Sequence, residues 1–429
     1  MTDRRLDPAA AAELVARDAR CVWHPYTQHR LEHAPLAIDS ARGALLRLAD
    51  GRELVDAISS WWTCLHGHGE PRLVEALRAQ AARLDHVLFA GATHEPAVRL
   101  AEELVRRAPH GLTRVFYSDD GSTAVEVALK LVRQQWVQRG EDARRVFVAL
   151  EGGYHGDTFG AMAVGDPDPF FRAWQPLLFE VARVPVDATA LADQIARLGA
   201  RCAGVIVEPL VQGAGGMRMH SNAYLRAARK LCDEYGLPLI ADEVMTGFGR
   251  TGELFACTKA GVEPDLLCLA KGLTGGMLPL AATLCREPLF ESFLHTDRSK
   301  AFFHGHSFTA NPIACAVALE SLALIDERDT PRRLALLGER LEGRLSQHLA
   351  GRASELALRR CGGIVAFDLP TVDPGYLSAR ALELRRRAVE RGALLRPLGS
   401  VVYAMPPACT SDSELDVIAD AMLALAADA

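Results

Sequence analysis

The sequence predicts an α/β fold with a mostly parallel central sheet, helices on both faces of that sheet, and a smaller α+β domain built from both ends of the chain. Six short apolar runs alternate with helical segments between residues 112 and 285, which is typical of a parallel sheet. Longer helices and shorter strands follow residue 312. We therefore predict three segments: the N-terminal part of the small domain at 1–59, the large domain at 60–311, and the C-terminal part of the small domain at 312–429.

The elements are predicted in chain order from periodicity and from turn and cap residues. A hairpin-like run from Gly43 to Asp56 has Asp50-Gly51 as its turn. The large domain contains a helix over 124–137 and another that Ser221 caps and Gly236 ends. The predicted strands of the large domain are 113–118, 145–150, 203–208, 237–242, 265–270 and 280–285. After residue 312 we predict helices at 312–325 and 331–349, strands at 363–368, 393–396 and 401–405, and a closing helix.

Composition excludes several classes of protein. The chain has 429 residues, of which 49% are hydrophobic and 24% charged, and its net charge of −6 gives no basic surface for nucleic acid. We expect no membrane helix, because no run approaches the length that spans a bilayer. The charged N-terminus argues against a signal peptide, and ten scattered cysteines favour a reducing cytoplasm. The His-Gly-His triplets at 66–68 and 304–306 have no acidic or thiol partner at a useful spacing, so we expect no metal site.

Lys271 is the residue that most clearly indicates chemistry. The chain contains five lysines among its 48 basic residues, so arginine supplies most of the positive surface charge. Lys271 ends the apolar run 265–270 and begins a glycine-rich turn. A lysine that is removed from water has a lowered pKa and can attack a carbonyl group as a neutral amine. The position therefore favours a Schiff-base lysine over a lysine that only reaches for solvent.

Three further features lie at predicted strand ends. Asp242 closes the strand 237–242, and the turn 118–123 joins a strand to a helix whose N-terminus can bind phosphate. Tyr154 follows the strand 145–150 and can stack on a planar ring. Ligands of parallel sheets bind at the carboxyl ends of strands, where these residues converge with Lys271. A lysine, an aspartate for a pyridine nitrogen and a phosphate-binding turn together indicate a pyridoxal phosphate enzyme.

One segment favours a different class of enzyme. Residues 247–252 match the glycine fingerprint of dinucleotide-binding proteins, which would make the chain a nicotinamide-dependent dehydrogenase. The match begins five residues after Asp242 instead of at the strand end, and no long helix follows it. The yellow colour of a bound pyridoxal cofactor would separate the two classes.

The chain resembles the class III pyridoxal phosphate aminotransferases of fold type I over essentially its full length. The resemblance rests on Leu239–Val244, Thr246–Gly252 and Leu269–Gly276. It implies that Lys271 binds the cofactor aldehyde and moves protons, that Asp242 keeps the pyridine nitrogen protonated, and that Tyr154 stacks on the ring. It further implies that Gly121 and Ser122 hold the phosphate. It also implies a homodimer with its active sites at the interface.

Further motifs narrow the resemblance to the members of this class that act in biotin biosynthesis. These motifs are His24–Thr27, Ser59–Trp62, Gly153–Met162, Gln212–Met217 and Leu395–Gly399 with Tyr403. The implied amino donor is S-adenosylmethionine, and the implied acceptor is 8-amino-7-oxononanoate. The implied substrate-binding residues are Tyr26, Trp61, Trp62, Tyr154, Lys271, Gly305, Arg396 and Tyr403. Arg396 would bind a substrate carboxylate. Another ω-aminotransferase and a synthase with lysine as donor remain open.

The segment 305–307 departs from the pattern that the resemblance implies. Gly305 and the two residues after it would approach the cofactor of the partner subunit, where Pro-Thr is usual. Here the two residues are His306 and Ser307. Ser307 keeps a hydroxyl for the phosphate, and His306 adds a backbone N–H that proline lacks. We therefore expect phosphate binding to survive the change.

Overall fold

The computed structural model describes residues 8–349, 351–371 and 375–427. Residues 1–7 and 428–429, at the two ends of the predicted small domain, lie outside the described residues. The prediction from the charged N-terminus rests partly on residues 1–7. The strands are β1 Ile38–Arg42, β2 Leu45–Leu48, β3 Glu53–Asp56, β4 Leu112–Ser118, β5 Val146–Leu150, β6 Val181–Val184, β7 Cys202–Val207, β8 Val211–Gln212, β9 Arg218–Met219, β10 Leu239–Asp242, β11 Leu266–Leu269, β12 Ala281–Arg286, β13 Arg359–Cys361, β14 Ile364–Asp368, β15 Ala393–Leu394 and β16 Val401–Ala404.

The helical elements connect and cover these strands. They are α1 Pro8–Cys21, α2 Ser59–Trp62, α3 Pro71–Arg83, α4 Glu95–Arg107, α5 Gly121–Gln138, α6 Phe159–Val164, α7 Ala188–Leu198, α8 Asn222–Tyr235, α9 Ala256–Ala260, α10 Glu287–Glu291, α11 Pro312–Glu327, α12 Thr330–His348, α13 Ala379–Glu390 and α14 Asp412–Ala427, with short 3₁₀ turns at Gln175–Leu177, Gly199–Arg201, Lys271–Thr274 and Arg298–Lys300. No helix in the described ranges is both long enough and apolar enough to cross a membrane.

A seven-stranded sheet forms the centre of the molecule. Its strand order is β4-β12-β11-β10-β7-β5-β6, and only β12 runs antiparallel to its neighbours. The prediction of a mostly parallel α/β sheet is therefore confirmed. The sequence reading missed β6, because its four residues Val-Ala-Arg-Val at the sheet edge are mostly half-buried and form no continuous apolar run.

Helices cover both faces of this sheet, as predicted. Successive strand residues belong to different core clusters: Val148 packs in one, and Phe147 and Ala149 pack in the other. Alternate side chains of a strand point to opposite faces, so the two clusters lie on opposite sides of the sheet. One cluster includes residues of α4, α7 and α8, and the other includes residues of α5 and α6.

The two ends of the chain meet in a second sheet. Strands β1, β2, β3 and β15 form four adjacent strands, and β3 pairs in parallel with β15. The predicted hairpin is confirmed, because β2 and β3 pair antiparallel and Gly51 in their turn has φ 91°. Strands β13, β14 and β16 form a separate three-stranded sheet. The boundaries at 59 and 311 stay a prediction.

Local capping explains where the helices of the large domain begin. Helix α5 begins at Gly121, three residues before the predicted start, because the Asp120 side chain accepts a hydrogen bond from the Thr123 N–H. Ser221 caps α8 by accepting from the Tyr224 N–H at 3.2 Å, and Gly236 ends it with φ 61°, as predicted. The first turn of α5 thus lies directly at the carboxyl end of β4.

Candidate active site

One cavity lies at the carboxyl ends of the central strands. Its volume is about 830 Å³. Eight of the residues predicted for the site line it together: Tyr26, Trp61, Trp62, Gly121, Ser122, Tyr154, Asp242 and Lys271. They come from segments up to 245 positions apart in the sequence. The central sheet brings together those that follow its strands, and Tyr26, Trp61 and Trp62 are added from the N-terminal part of the chain. The cavity is therefore the candidate active site.

Lys271 lies in this cavity directly after β11. Its backbone has φ 45°, in the left-handed region that residues other than glycine rarely adopt. Its Nζ atom lies 4.4 Å from the centre of the Trp62 ring. Desolvation lowers the pKa of Lys271 to about 8, although the negative charges of Asp242 and Glu208 oppose the shift. About a tenth of Lys271 is therefore a neutral, nucleophilic amine at pH 7, far more than for an ordinary lysine.

Asp242 ends β10 and is almost fully buried. Its Oδ1 atom accepts a hydrogen bond from the Val244 N–H, and its Oδ2 atom lies 2.7 Å from Nδ1 of His155. Desolvation alone would lower the pKa of His155, but the hydrogen bond and charge of Asp242 outweigh it and raise that pKa. A protonated His155 balances the buried aspartate charge.

Glu208 adds a second buried carboxyl group beside this pair. It accepts hydrogen bonds from the backbone N–H groups of Tyr154 and Gly213, each at 2.9 Å. Desolvation raises the pKa of Glu208 to about 7, with the positive charge of His155 opposing the shift. Glu208 therefore fixes the backbone that carries Tyr154.

The first turn of α5 forms a narrow cradle. A Cβ atom on Gly121 would lie 2.5 Å from Cγ1 of Val244, so only glycine fits. The Ser122 hydroxyl lies 2.8 Å from that of Thr158 and accepts a hydrogen bond from the Thr158 N–H. Backbone N–H groups at a helix N-terminus and neighbouring hydroxyls are suited to bind a phosphate.

Two tyrosines and an aspartate form a hydrogen-bonded group in the cavity. The hydroxyls of Tyr26 and Tyr154 lie 2.9 Å apart, and both donate to the carboxylate of Asp157. Desolvation raises the pKa of both tyrosines, so they stay protonated. Tyr154 also stacks on Phe171, with the ring planes 19° apart. Its ring is thus held in one orientation.

Trp61 and Trp62 are carried by an unusual turn. All four residues of α2, Ser59–Trp62, have positive φ, between 45° and 75°. Left-handed conformation costs roughly 1–2 kcal/mol for each residue with a side chain, so packing and hydrogen bonds must offset several kcal/mol. The Trp62 carbonyl accepts a hydrogen bond from Nη2 of Arg250, which is fully buried. The turn is therefore firmly held at the cavity wall.

Arg396 and Tyr403 lie behind the tryptophans and outside the cavity lining. The Arg396 guanidinium carbon lies 4.5 Å from the centre of the Trp61 ring, and its Nη2 atom lies 3.5 Å from the hydroxyl of Tyr376, which lines the cavity. The Tyr403 hydroxyl accepts a hydrogen bond from Nε1 of Trp62 at 3.0 Å. Tyr403 is buried, so in this chain it supports Trp62 from behind.

The segment 305–307 does not join the cavity of its own chain. Gly305 and Ser307 are exposed, and His306 is half-buried with its Nε2 atom 3.8 Å from Oδ1 of Asp119. Their service to a partner subunit stays a prediction. A dinucleotide site at 247–252 would need a helix that begins within this glycine-rich segment. The segment instead forms a run of turns.

The sequence reading assigned no role to several residues that line the cavity. His155 and Asp157 lie inside the quoted motif 153–162, beside Tyr154. Glu208 ends a predicted strand with an acid, which is the signal that identified Asp242. Tyr376 and Phe170 are contributed by distant loops, and no local pattern indicates them.

Comparison with known proteins agrees with this geometry. Residues 26–425 match the family Aminotransferase class-III. The chain belongs to the class III aminotransferases. It is 47% identical to the adenosylmethionine-8-amino-7-oxononanoate aminotransferase of Synechococcus elongatus, over 92% of this chain and 96% of that protein.

Solved structures of aminotransferases have the same fold. The adenosylmethionine-8-amino-7-oxononanoate aminotransferase of Methanocaldococcus jannaschii superposes with a TM-score of 0.92 at 33% identity, over 97% of this chain and 99% of that one. An amine transaminase from an uncultivated Pseudomonas species, in its PLP-bound form, gives 0.86 at 32% identity, over 95% and 98%. The predicted fold type and family are therefore confirmed.

Class III aminotransferases use pyridoxal 5'-phosphate, and the cavity fits this cofactor. Gly121 packs tightly against Val244, and the first turn of α5 lines the cavity with backbone N–H groups and the Ser122 hydroxyl, which suit a phosphate. The buried Asp242 offers a negative charge for a pyridinium nitrogen, and Lys271 offers an amine for an aldehyde. The cradle, Asp242 and Lys271 thus match the phosphate, the pyridine nitrogen and the aldehyde of the cofactor.

Proposed function

We propose that this chain is an S-adenosylmethionine-dependent 8-amino-7-oxononanoate aminotransferase, which makes 7,8-diaminononanoate in biotin biosynthesis. The observation that carries the proposal is the arrangement of the cavity. The Lys271 amine, with its lowered pKa, lies against Trp62, and the Arg396 guanidinium lies against Trp61. The full-length similarity to relatives with this activity supports the choice of substrates.

The residues at the cavity floor would hold the cofactor and move protons. Gly121 and Ser122 would bind its phosphate, Tyr154 would stack on its ring, and Asp242 would hold a proton on the pyridine nitrogen. Bound pyridoxal phosphate supplies an electron-accepting ring and a reactive aldehyde. Lys271, released as a free amine with its pKa near 8, would take a proton from the substrate carbon and return it.

The cavity wall would recognise both substrates in turn. The amino donor carries a sulfonium cation, and aromatic faces such as those of Tyr26, Trp61 and Trp62 attract cations. The amino acceptor carries a carboxylate at its far end, which Arg396 would bind as a guanidinium does. Because the amino group must leave one substrate before the other enters the same cavity, we expect ping-pong kinetics.

We also propose a cytoplasmic homodimer. The segment 305–307 is mostly exposed, and the neighbouring Phe303 and Phe308 are 79% and 62% exposed, which suits burial against a second copy. In such a dimer Gly305, His306 and Ser307 would approach the partner's cofactor, with Gly305 also beside the substrate. All ten cysteines are unpaired, which supports a reducing compartment.

An amino-donor screen tests the proposed reaction. Purified protein is given 8-amino-7-oxononanoate with S-adenosylmethionine, lysine, or a simple aryl-alkyl amine, and diaminononanoate is measured by mass spectrometry. We expect product only with S-adenosylmethionine. Lys271→Ala should give none, whereas Lys230→Ala, which removes an exposed lysine paired with Glu234, should match the parent.

Each alternative would give a different result in the same screen. Turnover with lysine in place of S-adenosylmethionine would make the chain a lysine-donor synthase. If 8-amino-7-oxononanoate gives no product with any donor, a second assay supplies the aryl-alkyl amine with pyruvate as acceptor. Turnover in that assay would make the chain an ω-aminotransferase, an alternative that the 32% identity to an amine transaminase motivates.

A further inference from the structure

A buried carboxylate lies beneath the left-handed turn that carries the tryptophans. Asp56 ends β3 and has no exposed surface. Its Oδ1 atom accepts hydrogen bonds from the N–H groups of Ser60 at 2.9 Å and Ile58 at 3.3 Å. Its Oδ2 atom accepts from the Ser60 hydroxyl and from Nε2 of His68, both at 2.8 Å. Both carboxylate oxygens thus connect this turn to His68.

His68 is itself held in place on two sides. Its backbone N–H and carbonyl form hydrogen bonds with the carbonyl and N–H of Gly43, at 2.8 and 2.9 Å. Its second ring nitrogen, Nδ1, lies 3.7 Å from Sγ of Cys64. The hydrogen bond to Asp56, followed by the contact with Cys64, raises the pKa of His68 to about 10. The imidazole is therefore protonated at neutral pH and balances the buried aspartate.

The turn above this pair needs such support. Its four residues all have positive φ, and none is a glycine. A left-handed turn of this kind persists only where its surroundings stabilise it. Trp61 faces the Arg396 guanidinium and Trp62 faces the Lys271 amine, so a small movement of the turn displaces both ends of the proposed site.

The same residues also form a possible metal-ligand group. Ligand atoms of Asp56, Cys64 and His68 lie within 4.8 Å of one another. However, Nε2 of His68 and Oδ2 of Asp56 are in direct contact at 2.8 Å, which leaves no space for an ion between them. Both oxygens of Asp56 already accept hydrogen bonds. The arrangement is that of a hydrogen-bonded support.

We infer that Asp56 and His68 are positioning residues, a buried ion pair that holds the left-handed turn 59–62 and so sets where Trp61 and Trp62 meet the substrate. The inference deepens the proposed function and rests on it for the identity of the substrates. Neither residue lines the cavity, so both act through the turn.

Kinetics and near-ultraviolet circular dichroism of Asp56→Asn and His68→Leu test this inference. Both variants should bind pyridoxal phosphate stoichiometrically, but kcat/KM for both substrates should fall roughly ten- to hundredfold, because a misplacement of about 1 Å can cost this much. The tryptophan bands of the dichroism spectrum should change as they do in Trp61→Phe and Trp62→Phe. His68→Gln, which keeps a donor for Asp56, should lose less than His68→Leu.

Two further variants separate a positioning role from a general structural one. Ser60→Gly introduced into Asp56→Asn should recover part of the lost activity, because glycine adopts positive φ without strain. Asp412→Asn disrupts an exposed ion pair with Arg340 at 2.9 Å, in helices that carry no tryptophan, and should leave the tryptophan bands unchanged. If Asp56→Asn does not fold, the kinetics and dichroism spectra of His68→Leu and His68→Gln test the inference instead.

The outcomes distinguish the inference from the proposed function. If the parent protein does not turn over the proposed substrates, the proposed function is refuted. The tryptophan bands and the cofactor content of the variants would still test the inference in that case. Variants with parental bands and parental kinetics would overturn the inference. So would a loss of cofactor and thermal stability in proportion to the loss of activity, without rescue by Ser60→Gly.

Discussion

The lowered pKa of Lys271 predicts how the protein captures its cofactor as pH changes. Only the neutral amine can attack the aldehyde of pyridoxal phosphate. Removal from water favours that neutral form, while Asp242 and Glu208 favour the charged one. Desolvation is the larger effect, so the pKa falls from 10.5 to about 8. The rate of cofactor capture should therefore rise with pH and level off above about pH 8.

The size of the effect follows from the two pKa values. At pH 7 an amine with a pKa of about 8 is about 9% neutral, whereas one with a pKa of 10.5 is about 0.03% neutral. Lys271 thus has about a 300-fold advantage in reactive amine. Asp242→Asn removes a charge that raises this pKa, so the midpoint should move to lower pH in that variant.

Stopped-flow absorbance of cofactor binding to the apoprotein between pH 6 and 10.5 measures this rate. A free lysine derivative, measured in the same buffers, corrects for the titration of the cofactor itself. Lys271→Ala should show no covalent phase. A rate that keeps rising to pH 10 in parallel with the free amine would refute the desolvation argument. A midpoint that rises in Asp242→Asn would refute the charge argument.

Three other substitutions test the remaining parts of the site. Arg396→Ala should slow the acceptor half-reaction roughly ten- to hundredfold, because a hydrogen bond to a charged group is worth roughly 1.5–3 kcal/mol, and single-turnover kinetics should show a smaller effect with the donor. Gly121→Ala should weaken cofactor affinity, since its Cβ would lie 2.5 Å from Val244, and adding Val244→Ala should restore part of it in an absorbance titration. Ser307→Asp should nearly abolish activity by placing a carboxylate against the phosphate. Hybrid dimers of Ser307→Asp with Lys271→Ala subunits should regain one intact site, and inactive hybrids would refute the shared interface.

The sequence predicted the parts of the site that depend on local patterns. Lys271, Asp242 and Gly121 each follow an apolar run, and parallel strands bring such ends together whatever their separation along the chain. The same rule also identifies Glu208, at the end of the predicted strand 203–208. Within the central sheet, the edge strand Val181–Val184 was not predicted, because its four residues are mostly half-buried and form no continuous apolar run.

The contacts between distant loops could not be predicted in this way. The role of Tyr403 in substrate binding stays a prediction, but its hydrogen bond from Trp62, 341 positions earlier, follows from no local pattern. The left-handed conformation of the turn 59–62 could not be predicted from the sequence either, since serine and tryptophan do not favour positive φ. Both features depend on tertiary packing, which a one-dimensional pattern does not contain.

Opposed pKa shifts allow several buried ionisable groups to share this cavity. Asp242 is balanced by His155, whose pKa is raised. Lys271 and Glu208 have pKa values of about 8 and about 7, which are close to each other, because burial penalises the charged form of each. Near neutral pH their protonated and deprotonated states therefore differ little in free energy. A charge that enters with a substrate can be met by a proton shift at Glu208, or at Lys271 when its amine is not bound to the cofactor, so that no buried charge is left unpaired. Such adaptability is what one cavity needs if it accepts first a sulfonium amine and then an amino keto acid.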